Sequence, residues 1–162
     1  MTFLRHPGGW VILLSFIVAL FLDSVALPLW ADRFRPDWLA LVLIYWCMAL
    51  PQRVGIGTGW FMGLLLDTAK GALLGQHALG LAVVAYLVIR TYRRVRVLPL
   101  WQQALSVTTF LLFEQLLMFW INGMIGYPPR DWWVLAPALS SVLFWPWVFI
   151  ILRDLRRHFQ VS

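Results

Sequence analysis

The chain reads as an all-α integral membrane protein, a compact bundle of about six transmembrane helices, and three observations predict this. Hydrophobic residues make up 62% of the chain and charged ones 12%, where a soluble domain carries about half and about a quarter. Mean hydropathy is +0.79. Long apolar runs follow one another with only short polar breaks, and basic residues gather beside them, as membrane orientation requires. At about 20 residues per span, 162 residues leave room for about five or six spans and no extramembrane domain. The expectation is one polytopic domain over 1–162, with spans near 10–30, 36–50, 54–68, 72–89, 98–121 and 132–152.

The first run, Trp10 to Trp30, carries tryptophans at both ends, suited to the two interfaces, and Asp23 within. It is longer than a signal-peptide core and no A-x-A-like site follows it, so it is expected to be retained. Pro36 favours a break before the second run. The second and third runs, on either side of Pro51, are short for about 30 Å of hydrocarbon at about 1.5 Å per residue. Either they cross with help from snorkelling Arg35 and Arg53, or they form a re-entrant pair sheltered by neighbours. The fourth run ends in RTYRRVR, the fifth contains Glu114, and the sixth is interrupted by Pro137 and Pro146, with Trp145-Pro146-Trp147 expected to kink it.

With the N-terminus inside, the cytoplasmic side holds Arg5, Arg53, Arg90, Arg93, Arg94, Arg96, Arg153, Arg156 and Arg157, and the other side Arg33, Arg35, Lys70 and Arg130. That bias predicts both termini in the cytoplasm. The net charge of +6 therefore reads as orientation rather than as nucleic-acid binding. Arg90, Arg93, Arg94, Arg96, Arg153, Arg156 and Arg157 are also a candidate basic surface for anionic membrane lipids or a cytoplasmic protein.

The third run carries a ladder of small or acidic residues four apart: Gly55, Gly59, Gly63, Asp67, Gly71 and Gly75. In lipid such a stripe permits close helix crossing, either inside the bundle or against another protein's helix, and the ladder is expected to cross more than one unit: a glycine face from 55 to 63, a costly carboxylate at 67 and a Gly71–Gly75 turn. Asp67 costs about 2.5–3.5 kcal/mol at a helix centre, so it is expected near an end, capping or pairing with Lys70 or else anchoring a partner. Asp23, Glu114 and Gln115 are the remaining intramembrane polar candidates, with Thr108 and Thr109 nearby in sequence. No relay spacing supports a proton pump. Cys47 is the sole cysteine and His6, His77 and His158 are scattered, so no disulfide, metal site or cofactor is expected. There is no nucleophile–base arrangement and no phosphate loop, and no enzymatic activity is expected.

The stretches FRPDWLALVLIYWCMALPQRVGIGTGWFMGLLLDTAKGALLGQHALGLAVVAYL, LPLWQQAL and PALSSVLFWPWVFIILRDLRRHF resemble the MreD family of rod shape-determining proteins, in its Gram-negative form. Gly59, Gly63, Asp67, Gly71, Leu74 and Gly75 fall on the most recognisable motif, and the first 30 residues resemble the family least. The resemblance implies an inner-membrane, non-enzymatic component of the lateral cell-wall elongation machinery. It implies binding to the bitopic protein MreC, and shared work with MreB, RodA and a penicillin-binding transpeptidase in peptidoglycan synthesis and cell shape. It also implies a fold like the substrate-binding subunits of vitamin-uptake transporters. The alternative function is therefore a small-ligand-binding membrane subunit of a transporter, with Asp67, Glu114 and Gln115 as pocket groups.

Overall fold

The computed structural model describes residues 9–25, 28, 35–52, 54–71, 74–126 and 136–159. Within them the chain forms six α-helices: α1 (Gly9–Ser24), α2 (Trp38–Ala49), α3 (Ile56–Lys70), α4 (Gln76–Val95), α5 (Leu100–Ile125) and α6 (Ala136–His158). α4 starts at Gln76 rather than near residue 72, because Gly71 and Gly75 both adopt left-handed backbone, with φ of 66° and 100°. That conformation ends one helix and sets the entry to the next, and glycine takes it without strain. α5 and α6 run past residues 121 and 152, and α6 continues through Pro146. Arg53, Arg33 and Arg130 lie outside the described residues, as do Arg5 and His6.

α2 is the axis of the bundle. Its sequence WLALVLIYWCMA is apolar all round, and Leu39 through Met48 are all buried. A helix without a polar face has to be enclosed, and here α1, α4, α5 and α6 enclose it. At 12 residues it is about 18 Å long. Its shortness is tolerated because it meets protein, not lipid, along its length. Trp46 anchors it by donating Nε1–H to Ser15 Oγ of α1 at 2.9 Å, with its ring edge-on to Tyr45.

The outside is apolar and the polar groups are inside. Leu13, Leu14, Ile17 and Phe21 of α1, Trp60 and Phe61 of α3, and Phe113 and Trp120 of α5 are exposed. Asp23, Asp67, Gln103, Thr108, Glu114 and Ser141 are buried. Water would reverse this distribution; lipid permits it. Among the described residues, two helices, Leu100–Ile125 and Ala138–His158, are long and apolar enough to cross a membrane.

The two ends of the bundle differ in charge. Trp10 of α1 stacks edge-on against Phe159 after α6 at 4.8 Å. The C-terminal turns of α4 and α6 carry Arg93, Arg94, Arg156 and Arg157. The opposite end gathers the α1 C-terminus, the α2 N-terminus, the α3–α4 turn and the α5 C-terminus, joined by the hydrogen bonds described next.

Candidate functional site

The acids expected inside the bundle meet at that opposite end, and two of them share one device. The first N–H groups of a helix have no partner within it. At α2 they are met twice. Asp37, the N-cap, accepts from Ala40 N at 3.3 Å. Asp23, arriving from α1, accepts from Trp38 N at 3.1 Å and Leu39 N at 2.9 Å. Arg35 holds the approach by donating to the backbone carbonyls of Asp23 and Val25.

Asp67 does the same for α4. Its carboxylate accepts from Gly75 N at 2.8 Å, His77 N at 2.9 Å and Ala78 N at 3.4 Å. His77 Nδ1 lies 2.6 Å from Asp67 Oδ1. The sequence expects Asp67 to cap or to pair with Lys70; it caps α4, and the side chain set against it is His77 rather than Lys70. Asp67 is fully enclosed, and the helix N-terminus it meets is itself a site for negative charge.

The ladder divides into three parts. Gly59 and Gly63 face α4 of the same chain: a Cβ on Gly59 would lie 2.9 Å from Leu81 O, and one on Gly63 2.3 Å from Ala78 Cα. Gly55 is loosely packed near Ile89. Gly71 and Gly75 form the turn that brings α4 back to Asp67. Gly57, off the ladder, has nothing within 4 Å.

Glu114 is in the middle of α5, and 1% exposed. It lies beside Asp37, with Asp23 and Lys70 in electrostatic range. Thr108 and Thr109, its neighbours in sequence, bond instead to the carbonyls of Ala104 and Leu105 in their own helix. The Oε2 atom of Glu114 has no hydrogen-bond partner. Gly80 leaves it room, since a Cβ there would stand 3.1 Å from Glu114 Cγ. Glu114 and Gln115 line a cavity of about 270 Å³ together with Asp23, Asp37, Lys70 and His77; Asp67 is not among the lining residues. Gln76 Nε2 donates to Asn122 Oδ1 at 2.7 Å across one side.

Sequence reasoning missed His77, Gly80, Asp37 and Asn122 as parts of this constellation. Asp37 before an apolar run had an N-cap signature; the others carry no local signal. Among the described residues no group of three or more His, Cys, Asp or Glu is placed to hold a metal. Arg90 and Arg93 lie against Tyr86 and Tyr92, and Arg153 against the Phe149 ring at 5.7 Å.

A family model described as rod shape-determining protein MreD matches residues 4–155. A protein of that same description from Haemophilus influenzae is 37% identical over 153 residues, covering 94% of each chain. No solved structure matches the chain.

Proposed function

The chain belongs to the rod shape-determining MreD family, and from that premise we propose that it is a non-enzymatic, multi-pass component of the inner membrane that helps organise cell-wall elongation. A role in cell shape comes with the family. The finer reading is that it binds MreC within the bilayer, in a complex with MreB, RodA and a penicillin-binding transpeptidase. All six helices cross the membrane, with both termini cytoplasmic, and the fold is like that of vitamin-uptake subunits. The family match over nearly the whole chain carries the reading. The gathering of arginines at one end supports the orientation.

Because Gly59 and Gly63 are filled by α4, the face of α3 left for a partner is the outer one, with Gly57, Trp60, Phe61 and Leu65. The test is crosslinking from single cysteines along α3 in a Cys47→Ser background, with and without MreC. Cysteines at 57, 60, 61 and 65 are expected to link to MreC, and those at 59 and 63 are not. Failure at every outer position overturns the α3 interface.

The alternative, a small-ligand subunit of a transporter, is favoured by one observation, the cavity beneath Glu114 and Gln115. It requires a water-soluble ligand that is carried through purification and released on denaturation.

A further inference from the structure

Of the buried acids, Asp23 and Asp67 are matched to helix N-termini, and Glu114 is not. Its Oε2 is a buried acceptor without a donor, on the wall of a cavity. Buried polar atoms in folded proteins are almost always paired, so this one calls for a donor from outside the chain. No neighbour supplies it. The Asp37 carboxyl beside it hydrogen-bonds Glu114 but leaves Oε2 unmatched, the Gln76 amide is held by Asn122, and the His77 ring faces Asp67.

The cavity lining carries both kinds of charged group: the carboxyls of Glu114, Asp23 and Asp37, and the cations Arg35 and Lys70, the latter exposed at the end of α3. Arg35 is engaged by the carbonyls of Asp23 and Val25, which leaves Lys70 as the cation for an anionic group. The volume of about 270 Å³ lies below the range of about 300–1,000 Å³ typical of sites for drug-sized ligands. It suits a headgroup-sized molecule.

We propose that this cavity binds an aminoethyl phosphate zwitterion, the headgroup chemistry of phosphatidylethanolamine, with its ammonium on Glu114 and Asp37 and its phosphate on Lys70. A primary ammonium brings three N–H donors, enough for Oε2 and a second carboxylate oxygen together. A trimethylammonium group brings none, so a choline headgroup leaves Oε2 unmatched. The same zwitterion can arrive on a lipid or as free phosphoethanolamine. This inference does not rest on MreC binding.

The test uses the full-length protein in detergent, offered phosphatidylethanolamine and phosphatidylcholine of matched acyl chains, with bound lipid counted by native mass spectrometry. The ethanolamine lipid is expected to be retained about tenfold better, the worth of one charge-assisted hydrogen bond. Glu114→Gln is expected to abolish that preference. Lys70→Met is expected to lower retention of both lipids while keeping their ratio. Should Glu114→Gln fail to fold, Asp37→Asn, which keeps the N-cap, is expected to diminish the preference instead. Displacement of the lipid by soluble phosphoethanolamine identifies the free zwitterion as sufficient; resistance to it identifies the lipid. Equal retention of the two lipids overturns the proposal, as does a preference that survives in a folded Glu114→Gln protein.

Discussion

Substituting Gly63 by alanine isolates what the ladder does. The added methyl would stand 2.3 Å from Ala78 Cα, 2.5 Å from Ala78 N and 2.8 Å from His77 C, where ordinary contact begins at 3.4 Å. All three atoms are backbone, so no rotamer change relieves the clash and α4 has to retreat by about an ångström. Overpacking of this kind costs about 1–3 kcal/mol. The same retreat carries Gly75, His77 and Ala78 away from Asp67, loosening hydrogen bonds to a charged group worth about 1.5–3 kcal/mol each. A destabilisation of about 2–5 kcal/mol is expected, lowering the melting midpoint by about 5–15 °C. Gly57→Ala is the control: with nothing within 4 Å, it is expected to leave the midpoint unchanged or raise it slightly, since alanine favours helix by about 0.8–1 kcal/mol. The assay is heating of the detergent-solubilised protein followed by fluorescence-detected size exclusion. If the two variants melt together, the α3–α4 contact is not what the glycine at 63 serves.

Other perturbations separate the acids by their roles. Asp67→Ala leaves three α4 N–H groups unmatched and is expected to destabilise by about 2–4 kcal/mol, read by the same melting assay, with His77→Ala costing less. Asp23→Ala removes one of the two carboxylates at the α2 N-terminus, so a loss of about 1–2 kcal/mol is expected there. Trp46→Phe keeps most of the packing but removes the hydrogen bond that Ser15 Oγ accepts, while that hydroxyl still donates to Ile12 O, for about 1 kcal/mol. Cysteines at Arg94 and Arg157, in a Cys47→Ser background, are expected to react with an impermeant maleimide in inverted vesicles and not in intact spheroplasts. The reverse pattern refutes cytoplasmic termini.

Much of the architecture was legible because burial and composition are coupled. The all-round apolarity of residues 38–49 already demands an enclosed helix, yet length alone left open whether that segment was a span or a sheltered break. The answer depends on which helices surround it, and that is a tertiary fact. At Asp67 the sequence exposes the cost of the acid and the glycines that follow, but not their connection. Only the left-handed backbone at Gly71 and Gly75 turns α4 so that its first N–H groups meet the carboxylate. The four-residue spacing by itself does not separate a crossing from a turn, although the sequence already suggests that the ladder spans more than one unit. In the folded chain Gly59 and Gly63 serve a helix crossing and Gly71 and Gly75 serve a turn, because the helix ends between them. The pairing of Glu114 with Asp37 joins residues far apart along the chain, and no periodicity reports it.

The central position of α2 has a consequence for how the molecule is made. It is the second helix to leave the ribosome, but the neighbours that enclose it include α4, α5 and α6. Until those are synthesised, a segment too short to cross lipid comfortably has α1 as its main support. Chains cut before α6 should therefore be poor folding units and good substrates for membrane proteases, and splitting the gene between α3 and α4 should fail where a split between α5 and α6 succeeds only on co-expression. Biogenesis of this bundle is therefore expected to be late and collective, closing around its core only after most of the chain has been made.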